Sequence, residues 1–505
     1  MQIIKKNLYL ILILFLAIFL RFYKLANVPH GMAWDEVAIG YNGFAIFSTR
    51  RDEWLNKLPI SFRSFGDYKA PFAIYESGFF TAIFGMNLFA VRLPFAIHGI
   101  FAVIAIYLLF KELFIKNKNQ EKLALFAAFL LAISPWHIHY ARMAFESGIA
   151  LNFTLWSMYF FYRYKNTINN KNLFLSIFFA VLTIYSYHSS KVTTPVLFIF
   201  MLLSNFDLLK SKVKDLIIGG LFGLFLLLPF LYDSFFAEGL TRAGATLFGQ
   251  KLAFFGLIKQ LVQNFLSYFS LKFLIFGENS GNFRHGDGRF GVIEPISLIL
   301  IVLYLFSKKK NKELFYLSLA MLFSGLLPAI ISEGLSSSNR SLLAIPGFIL
   351  IIVLAIEKIS SYLKKSKKIF LSLLFLIYMF CLGIYQINYY KNYIKVNSDD
   401  FVDGYLETFS YLHDLDRSKV KQIVFTNDYQ HAYIYALFSF KISPIAYHGG
   451  ILNLFFFADK VDLGDLDKKD TIVVASKFDQ MGDRKPDKII NGSDGRGRFF
   501  IYLPL

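Results

Sequence analysis

The chain is poor in charge and nearly free of cysteine: of 505 residues, 17% are charged and Cys381 is the single cysteine. One cysteine excludes an intramolecular disulfide and any cysteine-rich zinc site. A charged fraction well below the roughly 25% of soluble proteins excludes an ordinary soluble fold. Acidic residues are also scarce, 35 against 53 Lys and Arg, for a formal charge of +18. That excess could suggest nucleic acid, but no basic globular domain stands out. In an apolar chain, Lys and Arg collect instead in loops on the inner side of a membrane.

What is abundant is apolar. The hydrophobic set makes up 56% of the chain, with 60 phenylalanines and a mean hydropathy of +0.49. At roughly 20 residues per span, apolar runs mark eleven spans near 8–20, 90–110, 123–140, 147–162, 173–187, 192–205, 215–232, 292–306, 313–331, 341–356 and 369–386. The first follows Lys5 and Lys6 without an A-x-A-like cleavage pattern, so it reads as a retained signal anchor. With the N-terminus inside, the inner loops 111–122, 163–171, 210–214, 308–312 and 358–368 each hold at least three cations. The short outer loops hold one each: Arg142, Lys191 and Arg340. This alternation predicts a multi-pass protein of the cytoplasmic membrane whose C-terminal tail lies outside.

Segment 71–86 is apolar but short and contains Glu76, as a re-entrant or interfacial helix would. It belongs to the first of two long outer loops, 26–88 and 233–291, both mixing aromatics with charge. From 388 the composition shifts toward Asp, Lys and Gly, with β-rich runs at 422–425, 471–476 and 498–505 around a helical stretch at 429–440. The expected architecture is therefore an all-α polytopic membrane domain over 1–387 and a small extracytoplasmic α/β domain over 388–505. The inner loops are too short for a nucleotide-binding βαβ unit, which needs roughly 30 residues. Chemistry is therefore expected outside.

The outer polar residues fall in clusters. Trp34, Asp35 and Glu36 follow the first span; Asp67, Tyr68 and Lys69 precede the short helix. Adjacent carboxylates near an interface are costly to desolvate and often mark function, although a solvated loop is the plainer alternative. Arg142 and Glu146, four apart, would share a face of a helical turn and could simply pair there. His137 and His139, two apart, would lie on different faces and are assigned to the interface rather than to a metal. Tyr185, Tyr187, His188 and Lys191 form another cluster, Arg284 and His285 another, and Ser336 to Arg340 a last one. Together they place cations and carboxylates on one outer face. Such a face suits a polyprenyl-phosphate-linked sugar, whose phosphate sits at the interface and needs Lys or Arg there. Transfer needs a carboxylate to take the acceptor proton and cations to stabilise the departing phosphate.

In this order the motifs resemble the GT-C superfamily of integral-membrane glycosyltransferases, in the branch of protein O-mannosyltransferases and lipid A aminoarabinose transferases. The resemblance rests on Asp35-Glu36 after the first span, Lys69-Ala70-Pro71, Arg92-Leu93-Pro94 at the second span, and Arg142 followed by Glu146. It spans roughly 1–360 and departs from the family at Ala70 and Glu146, where proline and aspartate are usual, and in a Ser-Ser-Ser-Asn-Arg segment without an upstream histidine. It implies that Asp35 is the general base, supported by Glu36. Lys69 and Arg142 would bind the donor phosphate, and Glu146 the sugar or the arginine. Asp67, His188, Lys191, Arg284, His285 and Arg340 complete the expected donor site. The reaction would invert the anomeric centre, with a protein, lipid or glycan hydroxyl as acceptor. No metal ligands are assigned; a divalent cation beside Asp35 and Glu36 is compatible with the pair but not required. The rival reading is a transporter or flippase of lipid-linked sugars. It would call for midplane ionisable groups and repeated broken helices; here the charges sit mostly at span ends.

Overall fold

A computed structural model describes residues 2–236, 246–250, 253–277, 282–308, 310–334, 336–416, 418 and 420–504, with side chains for all of these except 2–6, 209 and 364. The chain is mostly helical. In order, the helices are α1 (Gln2–Phe22), α2 (Trp34–Thr49), α3 (Pro71–Phe84), α4 (Leu88–Leu113), α5 (Gln120–Ile133), α6 (Pro135–Tyr140), α7 (Glu146–Thr167) and α8 (Asn170–Ser186). They continue with α9 (Ser190–Leu203), α10 (Phe206–Ser211), α11 (Val213–Phe236), α12 (Phe254–Ser267), α13 (Pro295–Leu305), α14 (Lys312–Ile330), α15 (Ile345–Tyr362) and α16 (Lys367–Asn388). Each expected span overlaps one of them, except that over 123–140, which is divided between α5 and α6. Among the described residues, five helical segments are long and apolar enough to cross a membrane: Leu88–Leu113, Val213–Phe236, Lys312–Ile330, Leu342–Tyr362 and Lys367–Val396.

Local chemistry sets the boundaries. Asn87 caps α4 by accepting from the Ala90 amide at 2.9 Å, and Asn311 caps α14 through Leu314 at 3.2 Å. The span expected over 123–140 is interrupted, because α5 ends before Ser134, whose hydroxyl accepts from the His137 amide and starts α6 with Pro135 at its first position. His137 and His139 are consequently buried, not interfacial. His137 Nδ1 lies 2.7 Å from the Arg21 guanidinium.

The two long segments expected outside, 26–88 and 233–291, carry secondary structure among their described residues. The first contains α2, a two-stranded hairpin of β1 (Phe62–Ser64) and β2 (Asp67–Lys69), and α3. The hairpin turn holds Phe65 at φ 51° and Gly66 at φ 78°, the twist that matches paired strands. α2 and α3 touch at a pair of glycines: a Cβ on Gly43 would lie 2.6 Å from the Gly78 amide nitrogen. In the second long segment α12 is interfacial in pattern, while 237–245, 251–252 and 278–281 lie outside the described residues.

The tail carries a five-stranded sheet in the order β4-β3-β5-β7-β6, built from β3 (Gln422–Thr426), β4 (Phe455–Ala458), β5 (Thr471–Ser476), β6 (Lys488–Asn491) and β7 (Gly497–Tyr502). β3 runs parallel to β4 and β5, and β7 runs antiparallel to β5 and β6. The helical stretch expected at 429–440 is a helix over Ala432–Ser439. One apolar core joins α1, α4, α5, α7 and α13 to α16. A second unites Val37, Ile39 and Tyr41 of α2 and Ala73 and Ile74 of α3 with Phe425, Tyr435 and Phe499 of the tail. The sheet is thus packed onto the outer segment that follows α1.

Candidate active site

The first turn of α2 carries both carboxylates of the Asp35-Glu36 pair, where the positive end of a helix favours negative charge. Successive helical positions point about 100° apart, and the two side chains part company. Glu36 turns inward. Arg92 grips it with two bonds, Nε to Oε1 at 2.9 Å and Nη2 to Oε2 at 2.8 Å, and both side chains are fully buried. The Glu36 carboxylate also accepts from the Ala144 and Ala33 amides at 2.9 and 3.2 Å. The remaining Arg92 N–H groups donate to the carbonyls of Leu25, Pro29 and Gly31. This node ties α2, α4, the loop before α2 and the turn before α7 together.

Asp35 turns outward, its side chain 29% exposed. Lys69, delivered by the end of β2 and largely buried, donates from Nζ to Asp35 Oδ1 at 2.5 Å. Arg284 approaches from the second long outer segment, its Nη1 3.6 Å from Asp35 Oδ2 and its guanidinium carbon 4.1 Å from the Trp34 ring centroid. Arg284 is fixed by backbone: its amide donates to Asn282 Oδ1, the preceding Phe283 amide donates to Asp400, and His139 Nε2 donates to its carbonyl. Its Nη1 is buried and, although within ion-pair range of Asp35, makes no hydrogen bond, which leaves a donor to offer to a further acceptor. His285 Nδ1 and the Tyr140 hydroxyl are hydrogen-bonded at 3.0 Å. Burial, reinforced by Arg284, lowers the His285 pKa to about 4, so the ring is neutral at physiological pH.

The other expected residues are distributed around this centre. Asp67 bonds the Tyr68 amide within the hairpin, and His188 Nε2 donates to the Tyr68 carbonyl at 2.5 Å, supporting the hairpin from α8's end. Lys191, on α9, has its ammonium 4.8 Å from the Phe230 ring centroid. Glu146 opens α7 and is half-buried. Arg340 is exposed and donates to the Glu333 carbonyl.

Arg142 departs from the expectation. The chain leaves helix after Tyr140 and re-enters at Glu146, so Arg142 and Glu146 do not share a helical face. Arg142 is fully buried and donates to the carbonyls of Leu20, Arg21, Tyr23, Lys24 and Val28. These include carbonyls that the end of α1 leaves without intrahelical partners. Both terminal nitrogens are thus spent on capping, and Nε is buried without a partner inside the fold rather than facing Asp35.

Sequence reasoning did not find His431. This tail residue brings its ring 3.9 Å from that of Phe65 and edge-on to Trp34 at 5.5 Å. Nothing in the local sequence connects it to positions 34 or 65, since only the packing of the tail brings them together. The Asp35-Glu36 pair fits a divalent cation poorly: Asp35 faces two cationic side chains, and Glu36 is spent on Arg92. Among the described residues, the donor set that could hold a metal ion is His30, Asp403 and Glu407. There His30 Nδ1 already donates to Asp403, tying the loop before α2 to the tail.

Residues 68–232 match the family described as dolichyl-phosphate-mannose-protein mannosyltransferase. No curated protein matches the chain. Among solved structures it is similar to ArnT from Cupriavidus metallidurans bound to undecaprenyl phosphate, at 10% identity, a TM-score of 0.57 and 98% coverage of both chains. The apo form of that protein gives 11% identity and a TM-score of 0.53, covering 98% of this chain and 96% of the other. The Archaeoglobus fulgidus oligosaccharyltransferase, in complex with Zn and sulfate, gives 13% identity and a TM-score of 0.51 over 85% of this chain and 61% of its own. The family match over 68–232 and the shared fold are in line with the resemblance drawn from the sequence.

Proposed function

We propose that this membrane glycosyltransferase of GT-C type moves a sugar from a polyprenyl-phosphate donor to a hydroxyl on the outer side of the cytoplasmic membrane. The eleven helices at the expected spans and the inner-loop cations support the orientation, with the N-terminus inside and the tail outside. One observation carries the chemistry: Asp35, half-exposed, stands between Lys69 and Arg284, which come from two different outer segments. A carboxylate flanked by two cations at headgroup depth can serve both ends of a displacement. Asp35 takes the proton from the acceptor hydroxyl, and the acceptor oxygen forms its bond to the anomeric carbon from the face opposite the phosphate. The carbon–oxygen bond to phosphate breaks, and the polyprenyl phosphate leaves with the electron pair. Lys69 and Arg284, whose Nη1 makes no hydrogen bond within the protein, stabilise the charge gathering on that leaving group. The anomeric configuration inverts in a single displacement.

The fold neighbour bound to undecaprenyl phosphate supports a donor of this class. Glu36 acts by holding the first turn of α2 in place. His285, hydrogen-bonded to the buried Tyr140 beside Arg284, is the proposed contact for the donor sugar.

The test is transfer by the purified protein in lipid nanodiscs, supplied with radiolabelled polyprenyl-phosphate hexoses or aminopentose and a cell-envelope acceptor extract. Label should move from the lipid phase to the acceptor, and Asp35→Asn should lower the rate by about a hundredfold or more. Wild-type transfer by that variant would remove Asp35 from the mechanism. Movement of the intact lipid-linked sugar across the bilayer without transfer would establish the transporter reading instead.

A further inference from the structure

Two consecutive residues of the tail, Gln430 and His431, hold left-handed backbone at φ 63° and 54°. Residues with side chains keep such conformations where the surroundings impose them, and they gather at functional sites. Here the surroundings are specific. Tyr405 donates its hydroxyl to the Gln430 carbonyl, and Asn427 accepts from the Ala432 amide, fixing the turn from both sides. Tyr435, one helical turn on, donates to the Met32 carbonyl at 2.7 Å, anchoring the turn two residues before Trp34.

The consequence is a convergence of three rings. His431 stacks on Phe65 at 3.9 Å with the planes 28° apart and meets Trp34 edge-on at 5.5 Å. Phe65 occupies left-handed backbone as well, at φ 51°. All three residues are half-buried rather than enclosed. The charge of Asp35 reaches the imidazole, and no protein group among the described residues hydrogen-bonds its ring nitrogens. An aromatic surface beside a carboxylate, with an unspent imidazole at its rim, is suited to a ring with one apolar face and polar edges.

We propose that His431 is an acceptor-recognition residue and that the acceptor presents a sugar ring. The Phe65, Trp34 and His431 surface takes the C–H face of the pyranose, while an imidazole nitrogen hydrogen-bonds one of its hydroxyls and so presents a neighbouring hydroxyl to Asp35. The inference rests on the reading of Asp35 as base, and it adds the class of acceptor. The donor is held to the bilayer by its lipid and met by Lys69 and Arg284. His431 enters from the tail, which packs on the outer side of α2, the side open to a soluble or glycan acceptor. A serine or threonine peptide offers no ring face to this surface.

Binding tests this apart from turnover. Full-length protein in nanodiscs, with undecaprenyl phosphate present to fill the donor side, is titrated with methyl hexosides and separately with a Ser/Thr peptide, using saturation-transfer NMR. The hexosides should bind and the peptide should not. His431→Asn tolerates the left-handed turn and removes the ring; it should weaken hexoside binding about tenfold, near 1.4 kcal/mol. His431→Phe keeps the ring without the nitrogens and should recover part of the loss. Melting temperatures of both variants should match the wild type. Equal hexoside affinity in His431→Asn, absence of hexoside binding, or preference for the peptide would overturn the proposal. Failure of sugar transfer with intact, His431-dependent hexoside binding would count against the function proposed above and leave this site standing.

Discussion

Glu36 and Arg92 form a fully buried ion pair with two parallel hydrogen bonds of 2.8 and 2.9 Å, one residue away from an aspartate that faces outward. The adjacent carboxylates therefore do different jobs. Glu36→Gln leaves Arg92 charged and half-partnered in the interior, which should destabilise the fold by about 3–5 kcal/mol. Asp35→Asn should abolish transfer with little change in melting temperature. Thermal unfolding and transfer rates measured on both variants separate the roles, and a stability loss confined to Asp35→Asn would reverse the assignment.

Lys69 and Arg284 are predicted to act on the departing phosphate. Removing one such donor in comparable sites costs about 10²–10³ in kcat, and Arg284→Ala should show a loss of that size. Lys69→Ala should in addition raise the donor KM. Arg284→Lys keeps the charge but not the planar stack on Trp34, and should recover only part of the rate. A rate within twofold of wild type for Arg284→Ala would exclude it from the site.

Arg142→Ala should behave as a folding variant. Five carbonyls lose their donor, and even partial resatisfaction should leave a loss of about 3 kcal/mol or more. The folded fraction should keep its donor KM. A raised KM with unchanged melting temperature would restore the phosphate-binding role that the sequence suggested.

The junction between the tail and the outer segment should loosen as pH rises. Burial raises the Glu53 pKa to about 7, against hydrogen bonds from Tyr433 and Asn42. A carboxyl group raised in the folded state binds more protons there than when unfolded. Its stabilising contribution is thus complete below about 4.5 and lost as pH climbs through about 7. The His30 pKa is raised by its hydrogen bond to Asp403. That contribution is present below the ordinary histidine pKa of 6.5 and lost on the alkaline side. Both slopes have the same sign. Melting temperature should fall from pH 5 to 8, less steeply in Glu53→Gln and His30→Gln. A rising or flat profile in the wild type would contradict this.

The helices were readable in the sequence because a bilayer demands continuous apolar length, and clusters of cations marked the loops between them. Asp35 and Lys69 could be singled out because both lie in short motifs in one outer segment. Arg142 misled because four-residue spacing implies a shared face only if helix continues between the two positions, and here the chain opens between Tyr140 and Glu146. Arg284 could be noticed as an outer cation but not ranked, since its approach to Asp35 depends on how a long segment folds back. His431 was beyond reach for the same reason, amplified by a separation of nearly the whole chain.

The second core has a consequence for how this protein can be cut or recombined. Because Phe425, Tyr435 and Phe499 share their packing with Val37, Ile39 and Tyr41, the tail and the segment after α1 are one body built from opposite ends of the chain. Removing 395–505 would strip the cover from α2 along with the tail. A chimera with a related protein must exchange both ends together, so the two termini are expected to diverge in concert while the helices between them vary more freely.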